Sequence, residues 1–333
     1  MKALVLGAAE GIGAASLKDV ADTSPAPGEV RVRLRGASLN HRELWIARGQ
    51  YPGMKLPCIL GADGAGIVDA VGEGVDSALL GRECVIYPGM EWGDDQRFPS
   101  PRFHLLGMPA PGTIAEAITV PASNLAPKPA HLDFAAAAAL PTGAVTAWRG
   151  LTTKGALAAG ETLLITGIGG GVATFALLFG VAMGAKVYVT SSSQETIDLA
   201  VKLGATAGFN YKNADWAKEF RTASGGADVV FDGAPSASLP AYLRTLKLGA
   251  RVVVYGSTGG VQTTFSAPDL FLRHAAIYGT AMGSPQEFGD MLRFVEEKKI
   301  QPVVEKAFTL DQSAEALQWL EGSHAFGKIV VVI

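Results

Sequence analysis

Cysteine is scarce in this sequence, and the scarcity is informative. Only Cys58 and Cys84 occur, enough for at most one disulfide, and two free thiols in a reducing compartment are the simpler expectation. Lysine and arginine are never blocked together and the net charge is −3, so nucleic acid finds no basic surface to neutralise its phosphates. No secretory leader is expected, since Met1-Lys2 runs straight into Ala3-Leu4-Val5-Leu6, too short for an apolar leader core, and the cytoplasm is the expected address. Charge is absent over 162–185, but glycines crowd the start of that stretch and a strand-like run follows Gly184, so no membrane span is expected. Nucleic acid and membrane are both set aside as partners.

What the chain does have is apolar residues and glycine. Hydrophobic residues make up 48% against 18% charged over 333 positions, which describes a well-buried globule with room for two domains. The most telling stretch is TLLITGIGGGVATFALLFGVAMGAKVYVT, residues 162–190. An apolar run, Leu163-Leu164-Ile165-Thr166, is broken by Gly167-Ile168-Gly169-Gly170-Gly171. A second apolar run reaches Met183, and Lys186-Val187-Tyr188-Val189 follows Gly184. Strand, glycine turn, helix, strand is the βαβ unit of a dinucleotide-binding fold. Its glycines let backbone approach a pyrophosphate, and its helix start offers unpaired N–H groups. The fit is imperfect, because the G-x-G-x-x-[GA] positions fall on Ile168, Gly170 and Ala173. An earlier glycine loop, Gly7 to Gly13, meets the stop Ser24-Pro25-Ala26-Pro27-Gly28 too soon for a crossover helix and reads as a hairpin or loop.

Elsewhere the first third reads as β. Val30-Arg31-Val32-Arg33-Leu34-Arg35 alternates apolar and basic residues, with one face buried and the other wet. Ala37 to Trp45 gathers polar and aromatic side chains in a short helical turn, and Gly61 to Val68 is a glycine-punctuated strand region. The segment 87–112, with five prolines, reads as an ordered surface loop, the alternatives being a lid or an interaction surface. A linker spans 121–129, and an Ala-rich helix over 132–139 opens the next domain. Helices over 194–203, 215–222 and 238–248 then alternate with strands over 207–210, 228–232 and 251–256, the signature of a doubly wound parallel sheet. After 284 come a charged helix over 285–298, a strand at 303–304, a helix over 311–320 and a closing strand over 328–333. That strand returns most simply to the first domain.

Several ordered blocks carry a likeness to a family. They are Pro27-Gly28-Glu29-Val30, Ala37-Ser38-Leu39-Asn40, Gly61-Ala62-Asp63-Gly64-Ala65-Gly66-Ile67-Val68, Leu140-Pro141-Thr142-Gly143, the glycine loop, Leu203-Gly204-Ala205, Asp228-Val229-Val230-Phe231-Asp232 and Gly327-Lys328-Ile329-Val330. Across essentially its whole length the chain resembles the medium-chain dehydrogenase/reductases, in particular their zinc-free, quinone oxidoreductase-like branch. The resemblance implies an α/β chain in which a Rossmann doubly wound parallel sheet (124–273) is inserted into a GroES-like, mainly β catalytic domain (1–123 with 274–333). It further implies an active site in the cleft between them, and a homodimer or homotetramer.

The same resemblance bears on metal and cofactor. Zinc alcohol dehydrogenases place Cys where this chain has Asn40, His where it has Ala62, and Glu where it has Asp63; their proton-relay Ser/Thr is Arg42 here. No cysteine lies in 87–112 to bind structural zinc. His41 is the one candidate for a substitute ligand, and no zinc is expected. Asn40, His41, Trp45, Tyr51 and Asp63 are the expected catalytic residues. Thr142, Thr146, Gly169, Gly170, Gly171, Val172, Ser191, Ser192, Ser193, Tyr211, Gly256 and Lys328 are the expected cofactor-binding ones. From the residues alone, Asn40 either donates its amide to a carbonyl oxygen or caps the turn after it. His41 either supplies a proton, touches the pyrophosphate or is a solvated loop residue. Arg42 and Asp63 pair with each other or with Glu43. The strand end Thr190-Ser191-Ser192-Ser193 has no carboxylate before Glu195, which favours NADP over NAD, with Lys212 a possible source of positive charge. The activity expected is zinc-independent, NADPH-dependent hydride transfer to a small-molecule electron acceptor, a quinone or an α,β-unsaturated carbonyl. The rivals are an alcohol dehydrogenase or aldehyde reductase, and a catalytically weak NADPH-binding sensor or structural protein.

Overall fold

A computed structural model of the chain describes residues 1–322 and 326–333. Two compact units are present: Met1–Gly143 with Ser284–Ile333, and Ala144–Gly283. Among the described residues no helix is long and apolar enough to cross a membrane.

The first unit is built on the strand Glu29–Ser38. Its alternation works as read: Val30, Val32 and Leu34 are buried while Arg33 and Arg35 are exposed, and Arg31 pairs with Asp69 at 2.8 Å. Asp63–Val71 and Ala117–Pro121 pair with it antiparallel, as does the closing strand Lys328–Val332, which sets Val330 opposite Ser38. Lys2–Leu6 and Ala15–Asp19 form an antiparallel hairpin, so the glycine loop between them feeds no crossover helix. The segment 87–112 forms a small sheet of its own, Gly89–Met90, His104–Leu106 and Pro109–Ala110, stiffened by the edge-on pair Trp92 and Phe103.

The units divide at different points from those expected, for identifiable reasons. The Ala-rich helix Phe134–Ala138 is N-capped by Asp133, which accepts the Ala136 N–H at 2.8 Å, and it lies on the strand Glu29–Ser38. A Cβ on Gly36 would stand 2.8 Å from the Phe134 carbonyl oxygen, so glycine is what lets helix and strand meet. The helix therefore stays with the first unit, and the boundary moves from 123 to Gly143. At the far end, the strand Ala276–Gly279 pairs in parallel with Leu246–Val254 and belongs to the second unit, moving that boundary from 273 to Gly283.

The second unit is a six-stranded parallel sheet in the order Ala207–Asn210, Lys186–Ser191, Thr162–Thr166, Ala227–Asp232, Leu246–Val254, Ala276–Gly279. Sequence order reverses direction between Thr162–Thr166 and Ala227–Asp232, the topological switch point beside which such sheets bind ligands at their strand C-termini. One helix differs from expectation. It runs Pro235–Tyr242 and does not continue to 248, because Leu246 is already paired with Ala227 in the sheet.

Both cysteines are buried and unpaired. Burial pushes the Cys58 thiol up to about 11 and that of Cys84 up to about 12, so neither is a thiolate at neutral pH. Native protein at pH 8 is expected to resist iodoacetamide and to take up two equivalents only after denaturation; mass spectrometry showing prompt native labelling would contradict this.

Candidate active site

In the first unit, strand register assembles a polar cluster. Ser38 faces Asp63 on one neighbouring strand and Val330 on the other. Side chains two residues apart share a face, so Asn40 and Lys328 arrive beside Asp63. The Asp63 carboxylate is fully buried and saturated. Its Oδ2 accepts from Ser38 Oγ at 2.9 Å, Asn40 Nδ2 at 2.8 Å and Lys328 Nζ at 3.1 Å, and its Oδ1 accepts the Thr142 backbone N–H at 2.8 Å. Lys328, only 3% exposed, gives its remaining protons to Asn40 Oδ1 at 2.5 Å and the Leu39 carbonyl at 2.7 Å. Three ammonium donors thus have three acceptors within the protein. Lys328 was expected at the cofactor; its geometry places it in the Asn40–Asp63 cluster instead, with no N–H left over. Thr142 likewise enters through its backbone.

Asn40 begins the helix His41–Ala47, and Glu43 accepts the Asn40 backbone N–H at 2.7 Å. The next residues fall into two groups. Arg42 is buried, donating to the carbonyls of Leu106 and Met108 and to Glu43 at 3.1 Å. Its guanidinium sits 4.9 Å from the Tyr51 ring centroid. Burial works against the Arg42 charge, but Glu43 and Tyr51 outweigh it and hold its pKa up. Two open pairings are therefore settled: Arg42 takes Glu43, and the cation beside Asp63 is Lys328. Tyr51 belongs with Arg42 and not with Asn40. His41, Trp45 and Arg48 follow one another on the helix's exposed face, with Arg48 5.5 Å from the Trp45 centroid. Partial desolvation, with the charges of Lys328 and Arg48, lowers the pKa of His41.

Only Asn40 of this cluster stands where the resemblance puts a zinc-binding Cys, and the cluster's chemistry does not suit zinc. An amide, an ammonium and an already saturated carboxylate are not a zinc donor set. Among the described residues no three His, Cys, Asp or Glu side chains converge to hold a metal ion.

In the second unit the glycine loop joins Thr162–Thr166 to the helix Gly171–Ala182, with Gly170 at the N-cap and no side chain capping the first turn. Gly167 adopts φ +62°, a left-handed conformation that suits glycine, and its N–H is held by Thr190 Oγ1 at 3.0 Å. Gly169, Gly170, Gly171 and Val172 are thus arranged as a loop and helix start able to receive a pyrophosphate. Ser191, Ser192 and Ser193 end the adjacent strand. Ser191 Oγ accepts the Ser193 N–H at 3.2 Å, and Ser193 caps the helix Gln194–Lys202. Both hydroxyls are therefore used as acceptors while their protons remain to donate. Tyr211 and Lys212 are exposed just past the next strand, Gly256 follows its own strand end, and Thr146 is buried on the helix Pro141–Arg149.

Asp232 was not singled out from sequence. It is fully buried at the switch point and accepts from Thr166 Oγ1 at 2.5 Å, the Ala234 N–H at 2.9 Å, Ser238 Oγ at 2.6 Å and the Tyr242 hydroxyl at 2.8 Å. It ties the strand leading into the glycine loop to the helix Pro235–Tyr242. The available signal was an aspartate closing the apolar run Val229-Val230-Phe231.

Comparison with known proteins agrees with both units. Residues 26–130 match the alcohol dehydrogenase GroES-like domain, and residues 171–297 match the zinc-binding dehydrogenase family. A zinc-type alcohol dehydrogenase-like protein of Leptosphaeria maculans is 35% identical over 95% of this chain and 94% of its own. A quinone oxidoreductase of Rattus norvegicus is 27% identical over 95% and 92%. A crystal structure of an NAD-dependent alcohol dehydrogenase superposes with a TM-score of 0.95 at 37% identity, covering 100% of both chains.

Replacing Asp63 with alanine strands the buried Lys328 ammonium, and the expected loss of stability is about 3–5 kcal/mol. Urea denaturation checks it; a loss below about 1 kcal/mol, the range of exposed pairs, would contradict the buried geometry.

Proposed function

The chain belongs to the medium-chain dehydrogenase/reductase superfamily, and from that premise we propose a zinc-independent, NADPH-dependent oxidoreductase that reduces a quinone or an α,β-unsaturated carbonyl. The observation that carries the reading is the Asn40–Asp63–Lys328 cluster, in which a self-neutralised ion pair holds an amide donor at the position, Asn40, where the resemblance puts a zinc-binding Cys. An acceptor reduced without a metal must spread incoming negative charge by conjugation, which quinones and enones do. A bound nicotinamide supplies the hydride. Asn40, half-buried, offers an N–H to the carbonyl oxygen that gains charge. Trp45, on the exposed face of the same helix, contributes apolar surface for a conjugated acceptor, and the proton comes from solvent. Asp232 holds the approach to the glycine loop.

The preference for NADPH rests on the strand end 190–193, whose hydroxyls keep protons to donate and which lacks a carboxylate to repel a 2′-phosphate. The NAD-dependent relative in the comparison favours the opposite cofactor and an alcohol substrate, so both belong in the test. We also propose a cytoplasmic homodimer. The edge strand Ala276–Gly279 exposes Ile277 and Tyr278 beside Phe271 and Leu272, an apolar edge that pairing with a second copy would cover.

Following NADPH and NADH oxidation against quinones, enones, enals, aldehydes and ketones decides the activity. NADPH-linked reduction of quinones or enones is expected, falling about a hundredfold in kcat for Asn40→Ala. NADH-linked turnover confined to simple aldehydes or ketones would overturn the assignment. For the assembly, Tyr278→Lys is expected to turn a dimer into a monomer by light scattering, and an unchanged dimer would place the interface elsewhere.

A further inference from the structure

We propose that Lys328 is the positioning residue that fixes which way the Asn40 amide faces and so makes Asn40 a one-way hydrogen-bond donor; this rests on the reading of Asn40 given above. An asparagine amide can present either its oxygen or its nitrogen, and rotation by half a turn exchanges them. Here the neighbours decide. The Lys328 ammonium has only donors, so the atom 2.5 Å from it is the amide oxygen. Asp63 Oδ2 accepts only, so the atom 2.8 Å from it is the amide nitrogen. Reversing the amide would set nitrogen against ammonium and oxygen against carboxylate, two repulsive contacts in a buried site where charge is weakly screened.

The lock leaves one free group. The amide nitrogen carries two protons, of which Asp63 takes one, and the oxygen is engaged by Lys328. The second Nδ2 proton is what Asn40, itself half-buried, has left to offer a ligand. The ammonium also withdraws density through the amide and strengthens that proton as a donor. The site therefore selects a ligand atom that accepts and does not donate, such as a carbonyl or phenolate-like oxygen, over a hydroxyl that needs an acceptor. Lys328 touches no reactant in this account; its effect passes through Asn40.

The test combines spectroscopy with a mutant cycle. The chain has four asparagines, so ¹⁵N-asparagine labelling resolves the Asn40 side chain. In wild-type protein with oxidised NADP, one Nδ2 proton should lie well downfield, as expected for a donor to carboxylate, and added cyclohexenone should shift the other. Two protons that both move with cyclohexenone, or a pair like that of an exposed asparagine, would overturn the lock without any variant having to fold. In the cycle, Lys328→Met should lower kcat with cyclohexenone about tenfold or more while the KM for NADPH stays within about twofold, and Lys328→Arg should recover most of it. The same substitution in Asn40→Ala protein should cost nothing further. An equal loss in both backgrounds would show that Lys328 does not act through Asn40. If wild-type protein turns over no quinone or enone while the spectra show the locked amide, the reading of function fails and the positioning role stands.

Discussion

The buried pair between Asp63 and Lys328 is the interaction on which the first unit's chemistry depends. Removing two charges from water is costly, and a buried pair holds only when its other hydrogen-bonding capacity is met. Here it is: four donors converge on Asp63, and three acceptors surround Lys328. The partners lie at opposite ends of the sequence, and the central strand Glu29–Ser38 brings them together by pairing with both of their strands. The closing strand is thus part of the site as much as of the sheet. Asn40 is the beneficiary, because the pair orients an amide that would otherwise be free to turn.

The second unit uses the same physics with neutral partners. Among the described residues Asp232 has no cation in its hydrogen-bonding shell; two hydroxyls, a phenol and a backbone N–H satisfy it. Burial and the adjacent carboxylate raise the Tyr242 hydroxyl well above its usual range, so it stays protonated and keeps donating. In each unit one saturated carboxylate secures the strand end from which functional groups project.

Much of this was legible beforehand, and what was not has a common cause. Local patterns declared themselves: the alternating strand from Val30, the glycine turn feeding the helix Gly171–Ala182, the hairpin around the first glycine loop, and the helix Pro285–Lys298. The ordered family-like blocks marked Asn40 and Asp63 as site residues without saying that they meet. Long-range partnerships were hidden. Nothing near Lys328 says that it will face Asn40, and a basic residue next to a glycine near a strand start reads as readily as a cofactor contact. Arg42 is adjacent to Glu43 and distant from Asp63, but only the fold says which carboxylate it takes. The unit boundaries failed for the same reason, since composition marked the Pro-rich stretch 121–129 as a linker while the packing of Phe134 over Gly36 put the break later.

On the proposed reading, an oxidoreductase of this superfamily without zinc must find another way to manage charge on its acceptor, and the Asn40 amide backed by the Lys328 ammonium is that way. The most direct test of that central claim is the zinc content of protein purified without chelators from zinc-supplemented cells, measured by inductively coupled plasma mass spectrometry beside reductase activity. The account predicts zinc far below stoichiometry in fully active protein. A full equivalent per chain that survives dialysis, and whose removal abolishes activity, would contradict it.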